Sequence, residues 1–448
     1  MQRRLHGGGV PGRRTTPPPS NLRSMVPLPT TPDQVRGRRE ERMADFARST
    51  DPAVQGQLDR LSMLSPAGDR LGLERISSLL DRLGRPQDRL PPVFHVAGTN
   101  GKGSTCALLR AALEAGGNTV HAFTSPHLVR FNERIRIAGR LIRDEQLASL
   151  LTEVLDSSVG IEPSFFEVAT AVALLAFARD PADACILEVG LGGRLDATNV
   201  VARPAVCGIA SIAIDHQQFL GKTLAGIAAE KAGIAKPGVP LVSLAQDSKA
   251  EAAILRVAGE RGAPLSLQGR DWITDPALKP ALPGPHQVRN ANLAWQMIQH
   301  QDRLAVDHAE FLSGLLSARW PARFQQLEHG PLAGDIPTWV DGAHNPAAAA
   351  ALADLLAERG PMHIVLGILA NKDADAIVGS LKTHALSLTF VPVAEHAHHD
   401  PQELAKRFGG RSAPGLQDAL ADLPSPRLIA GSLYLAGEAL SENGETPD

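Results

Sequence analysis

The stretch His95-Val-Ala-Gly98-Thr99-Asn100-Gly101-Lys102-Gly103-Ser104 joins an apolar run to a helix-forming run through a glycine-rich turn. Residues 92–97 read as a short buried strand and residues 104–115 as a helix. Glycines let the backbone curl so that successive N–H groups face one anion. The start of the helix adds the positive end of its dipole, and Lys102 adds a mobile charge for terminal phosphates. This is the physics of a phosphate-binding loop. Its first glycine stands two residues closer to the lysine than in G-x-x-x-x-G-K-[ST]. A glycine turn without function is the alternative, and the strand and helix flanks argue against it.

Working outward, strand-like and helix-like runs alternate. Helical spacing begins near Asp51 and continues through Leu71, Leu73, Ile76, Leu79 and Leu80. Strands are predicted at 118–122, 182–189 and 205–214, with a helix over 144–155. This rhythm is that of an α/β protein, a parallel sheet covered by helices on both faces. A second alternating block follows Trp320-Pro321-Ala322. Its strands are expected at 338–340, 363–367, 386–391 and 428–430, with a helix starting at Pro346. The division expected is a tail over 1–50, a phosphate-loop domain over 51–320, a smaller α/β domain over 321–440 and a polar end over 441–448. Ligands would sit in the cleft between the two domains.

Composition limits the function classes. The chain has 448 residues, 43% hydrophobic and 21% charged, close to a soluble globular average. A net charge of −3 argues against general nucleic-acid binding. The longest apolar stretch, 168–178, is too short to span a membrane. Cys106, Cys185 and Cys207 lack metal spacing and read as buried thiols of a reducing compartment, hence a cytoplasmic protein. The first fifty residues carry ten Arg against four acidic residues, with Pro17-Pro18-Pro19 and Gly7-Gly8-Gly9. Such an arm has little to bury and is expected to be disordered. Translation starting at Met25 or Met43 is the alternative.

Two further constellations lie at strand ends. Glu188 closes the apolar run of 182–189 and is followed by Gly190, Gly192-Gly193-Arg194 and the polar cluster Asp196, Thr198 and Asn199. Parallel strands put their C-terminal ends in the ligand crevice, so this carboxylate is placed to hold Mg²⁺ beside nucleotide phosphates. Asp215-His216 follows the next strand, with Glu230-Lys231 fifteen residues on, and His216 is a candidate metal ligand. Pro163-Ser164-x-x-Glu167 has the form of a capping box opening a helix. The run Glu395-His396-Ala397-His398-His399-Asp400 lacks a fixed spacing on one face and reads as a solvated loop.

Taken together, the 95–104 motif, TSPHL at 124–128, FNERI at 131–135, EVGLGGRLDATN at 188–199, Asp215-His216 followed by EKAGI at 230–234, and DGAHNP at 341–346 resemble the folylpolyglutamate synthase/dihydrofolate synthase family, in order across about residues 60–435. That family is similar to the ligases of bacterial wall synthesis, which implies a phosphate-loop domain followed by a smaller, Rossmann-like α/β domain. By this likeness Thr99, Asn100, Gly101, Lys102, Gly103 and Ser104 cradle ATP, and Asn290, Arg323 and Asp341 touch the nucleotide. Ser125 and Glu188 ligate one Mg²⁺, and His216 with Glu188 a second. Lys231 falls where the family carries an N6-carboxylated lysine; an unmodified lysine pairing with Glu230 is the alternative. Ser164, Phe165, Phe166, Glu167, Leu195, Asp196 and Ala197 match the pterin site. His344 and Ser432 lie near the incoming glutamate, with a helix-start role for 344–346 as the other reading.

The implied chemistry is an ADP-forming ligase in which Lys102, Lys231 and His344 serve catalysis. ATP phosphorylates a carboxylate, and the amine of L-glutamate displaces phosphate from the acyl phosphate. The acceptor would be dihydropteroate, a reduced folyl-glutamate, or both, with a monofunctional folylpolyglutamate synthase as the narrower reading. A monomer with no nucleic-acid or membrane partner is expected. The rivals are a cell-wall amino-acid ligase, which would lack the TSPHL and GLGGRLDATN pair, and a non-enzymatic phosphate-loop switch, which needs neither Asp341 nor a pterin pocket.

Overall fold

The computed structural model describes residues 48–64 and 71–447. The arm before residue 48, with Met25 and Met43, lies outside the described residues. No helix among the described residues is long and apolar enough to cross a membrane.

Eight strands form the first sheet: β1 (Val93–Ala97), β2 (Val120–Phe123), β3 (Ile135–Ile137), β4 (Arg140–Leu141), β5 (Ala184–Glu188), β6 (Val206–Ile209), β7 (Leu241–Ser243) and β8 (Leu265–Leu267), in the order β4-β3-β2-β5-β1-β6-β7-β8. The six strands from β2 to β8 pair in parallel, and β3 and β4 add an antiparallel edge. Burial explains the order: β5, β1 and β6 are buried on both sides and occupy the centre. The alternation of a strand then splits each run between two cores. Cys185 and Leu187 pack against the helix Phe165–Arg179, while Ala184, Ile186, Phe94 and Val96 face the helices Lys102–Ala115, Pro285–Gln299 and His308–Ser317.

A second sheet holds β9 (Gln325–Gln326), β10 (Thr338–Val340), β11 (Met362–Leu366), β12 (Ala385–Phe390), β13 (Arg411–Ser412) and β14 (Arg427–Ala430), ordered β13-β12-β11-β14-β10-β9. It is parallel apart from β9.

Several expectations shift. The strand predicted over 205–214 ends at Ile209, because Ser211 turns its carbonyl to the amides of Thr99 and Asn100 at 2.8 and 3.1 Å. The chain there braces the glycine loop instead of extending the ladder. No strand was expected between 214 and 320, yet β7 and β8 lie there, three residues each and too short to show a period. The helix Leu433–Glu442 runs into the polar end that starts at residue 441, and the buried Asn443 accepts from Leu332 N and Ala333 N and donates to Glu328 O.

Candidate active site

Register brings the motifs together. Val96 of β1 pairs with Glu188, Ala97 with Ile209, and Phe123 with Leu187 of β5. The C-terminal ends of β2, β5, β1 and β6 therefore deliver Ser125, Glu188, the 98–104 loop and Asp215-His216 to one crevice. The second sheet closes over it. The resulting cavity of 1180 Å³ is lined by every site residue that the family likeness implies except Phe165. Phe165 lies edge-on to Phe131 at 5.8 Å and under the Arg134 guanidinium at 5.3 Å, so of the two adjacent phenylalanines only Phe166 lines the cavity.

The glycine loop is built as its sequence suggests. Gly101 has φ +87°, and a Cβ there would stand 2.5 Å from Asn290 Oδ1. Only glycine gives this turn and lets Asn290 approach. Helix Lys102–Ala115 starts immediately after it, two residues earlier than predicted, so its free amides face the cavity. Lys102 Nζ curls back to Thr99 O at 3.3 Å. Trp320 closes the other side of the loop, its Nε1 occupying the space a Cβ on Gly103 would need.

Glu188 is 3% exposed and accepts from Ser125 N at 3.2 Å. Burial pushes its carboxyl up, with Lys102 the chief opposing charge. No ion pair closes on it among the described residues. His216, at φ +50°, is held neutral because burial lowers it to about 4. The described residues hold no group of three His, Cys, Asp or Glu side chains that could bind a metal alone. Mg²⁺ commonly takes one or two carboxylates and fills its shell with phosphate oxygens and water. A buried carboxylate beside a serine and a phosphate-binding loop fits that pattern.

Lys231 is 5% exposed and donates to Gly98 O at 2.9 Å. Burial, then the charge of Lys102, lowers it to about 7. Glu230 instead pairs with Arg194, at 2.9 Å, so the simple Glu230–Lys231 pair is absent. Gly193 lets the two segments meet: a Cβ there would lie 2.7 Å from Glu230 O and 2.8 Å from Lys231 O.

The capping box forms as read. Ser164 Oγ accepts from Glu167 N at 3.2 Å, and Glu167 Oε2 accepts from Ser164 N at 2.6 Å. Asp196 is buried and accepts from Leu191 N at 2.8 Å and from Thr198 N at 3.0 Å. Its carboxyl is pushed up by burial, against the Thr198 hydrogen bond. Arg323 is half-buried beside Asp341, which accepts from Phe324 N and Ala343 N. Ser432 caps the helix Leu433–Glu442 through Tyr434 N at 3.1 Å. The helix start at 346 is capped by Asn345 and not by His344, whose Nδ1 instead meets Gly342 O at 2.9 Å.

One cluster was only half seen in the sequence. Asp215 accepts from Lys372 Nζ at 2.5 Å and Asn345 Nδ2 at 3.0 Å, and His344 Nε2 lies 3.7 Å away. Burial resists its charge, but the nearby imidazole of His344 and the Lys372 ammonium hold it well below the usual carboxylate range. Asn345 also exchanges two bonds with Asn100, at 2.9 and 3.1 Å. These contacts tie the two sheets together at the cavity. Lys372, in Asn371-Lys372-Asp373 just beyond β11, was missed; a lysine after a strand was the only signal. The 395–400 loop is partly packed: His396 stacks on Tyr434 at 3.8 Å, and His399 Nε2 meets Lys372 O at 2.9 Å.

Residues 322–427 match the family model described as Mur ligase, glutamate ligase domain. The dihydrofolate synthase/folylpolyglutamate synthase of Bacillus subtilis is 34% identical over 416 residues, which cover 83% of this chain and 94% of that protein. Among solved structures, Escherichia coli FolC in complex with DHPP and ADP has a TM-score of 0.78 at 30% identity, covering 88% of this chain and 98% of its own. A bifunctional folylpolyglutamate synthase/dihydrofolate synthase with Mn, AMPPNP and L-glutamate bound gives the same TM-score and identity, over 88% and 99%. Sequence likeness along nearly all of these relatives and a shared fold lead to one assignment: the chain belongs to the dihydrofolate synthase/folylpolyglutamate synthase family.

Proposed function

We propose that this protein is an ATP- and Mg²⁺-dependent, ADP-forming ligase that joins L-glutamate to dihydropteroate and to reduced folyl-glutamates. The observation that carries this reading is the meeting, in one cavity, of a phosphate-binding loop, the buried Glu188 and the Asp196 loop. Relatives bearing both activity names, and solved relatives holding ADP, DHPP or L-glutamate, support it.

The carboxylate of the acceptor is activated by phosphoryl transfer from ATP. The amides of 101–104 and the Lys102 ammonium hold the transferring group and spread its charge, so positioning does most of the work. Mg²⁺, held by Ser125, Glu188 and His216, would neutralise phosphate charge. The uncharged amine of Lys231, populated near neutral pH, can add carbon dioxide and, releasing a proton, become a carbamate anion in the same cavity as Glu188. Arg323 and Asp341 reach the nucleotide from the second sheet with Asn290 from the first, and His344 and Ser432 face the incoming glutamate. Enclosure between the sheets keeps water from the acyl phosphate. The domain boundary belongs at 320/321, where no strand links the sheets. Three buried free thiols suit a cytoplasmic enzyme, and we take it to act as a monomer.

The test is ADP release with ATP, Mg²⁺ and glutamate, comparing dihydropteroate with tetrahydrofolate as acceptor. Turnover with both is expected, falling on the order of 10²–10³-fold in Lys102→Ala. Turnover with one acceptor alone would make the enzyme monofunctional. Acceptor-independent ATP hydrolysis would reject ligation altogether.

A further inference from the structure

His95 stands in the middle of β1, fully buried and outside the cavity wall. Its Nε2 lies 2.8 Å from Thr198 Oγ1, and Thr198 Oγ1 lies 2.5 Å from Asp196 Oδ1. Its Nδ1 has no hydrogen-bond partner among the described residues. A threonine hydroxyl carries one hydrogen, so the three groups constrain each other. With the imidazole proton on Nε2, His95 donates to Thr198, and the hydroxyl hydrogen passes to an ionised Asp196. With the proton on Nδ1, Thr198 must donate to Nε2, and only a protonated Asp196 could then supply the hydrogen of the second contact. That arrangement also strands a buried N–H, whereas the first leaves only a lone pair unfilled. Orphaned buried N–H groups are the rarer case. The amides of Leu191 and Thr198 already point at the carboxylate and favour its charged form. Burial lowers His95 to about 3, so the ring stays neutral and the relay is a chain of fixed dipoles.

We propose that His95 is a positioning residue for the acceptor subsite, holding Asp196 through Thr198 Oγ1 as an oriented carboxylate that receives ring N–H groups of a pterin. The proposal rests on the reading of Asp196 as an acceptor-binding residue. It assigns to the strand ahead of the phosphate loop a role in recognising the other substrate. The loop 191–198 and the loop 98–104 thus share one strand as their foundation.

The test is steady-state kinetics of the full chain with dihydropteroate varied, between about pH 6 and about pH 8. His95→Leu should raise KM for dihydropteroate about tenfold while KM for ATP holds, the value of one hydrogen bond to a charged group. Without the relay Asp196 protonates more readily, so the rise should steepen as pH falls. His95→Gln, whose amide nitrogen reaches the Nε2 position, should restore most of the loss. An unchanged KM in His95→Leu, a rise shared equally by ATP, or a glutamine variant no better than leucine would overturn the proposal. Asp196→Asn separates the two layers. If it leaves KM for dihydropteroate alone, the subsite assignment itself fails; if it raises KM and His95→Leu does not, only the relay fails. Should His95→Leu not fold, Thr198→Val against Thr198→Ser makes the same comparison: a rise reversed by serine supports the relay, and equal values reject it.

Discussion

Lys231 shows what burial does to a single amine. It carries a full charge in the unfolded chain up to about pH 10.4, yet in the folded protein it loses its proton at about 7. Between those values the unfolded state binds more protons, so stability rises with pH across this window, by up to about 1.4 kcal/mol per unit from this one group. Thermal melts of the wild type should therefore climb from neutral to alkaline pH more steeply than those of Lys231→Met. Equal slopes would mean that the amine is not buried in solution. The carboxylated form makes a separate prediction: Lys231→Ala should lose activity and regain part of it in added acetate or formate, which supply the missing carboxylate. No rescue by any small carboxylate would leave Lys231 as a plain amine. The candidate residues were legible because glycine, lysine and acidic residues stood in unbroken motifs. Phe165 lies outside the cavity lining because adjacent helix residues point in different directions, and Lys372 was missed because a lone lysine in a loop carries no pattern.

At the scale of elements, the strand–loop–helix around Gly101 is the least tolerant of change. Gly101→Ala forces a positive φ on a residue with a Cβ and drives that atom into Asn290. ATP binding, read by calorimetry, should be lost, while the far-ultraviolet circular dichroism stays native because the strain is local to the loop. Retained ATP affinity would show that the loop relaxes without cost. β1 and β5 could be read from sequence since both are mostly apolar runs ending at a glycine loop. β7, β8 and the β3–β4 edge could not: two or three residues carry no period, and tertiary pairing makes them strands. The strand over 205–214 was overrun because Ile212 and Ile214 prolong the apolar pattern, though the backbone at Ser211 is taken by the glycine loop. Helix starts fared better. Ser164 and Glu167 announced a cap that the structure forms.

Across the whole molecule, the two sheets bury separate apolar clusters and meet at the cavity through polar contacts. Asp215 belongs to the first sheet's crevice, and Lys372, His344 and Asn345 to the second's. An apolar contact supplements them, the loop at Leu128 and Val129 packing on the second sheet's cluster. A polar seam of this kind holds while every partner is present and weakens steeply when one goes, since the others are left buried and unpaired. Lys372→Met should thus destabilise by several kcal/mol, on the scale of a broken buried pair. Lys372→Met combined with Asp215→Asn should cost less than the sum of the two, as a double-mutant cycle would record. The seam's loss should also uncouple the two halves. Wild-type protein is expected to melt in one calorimetric transition, and the double variant in two, with ATP drawing them back together because a ligand held by both sides stabilises their joined state. A single transition in the double variant would place the coupling in the Leu128 contact instead, and Leu128→Ala would then split the melt.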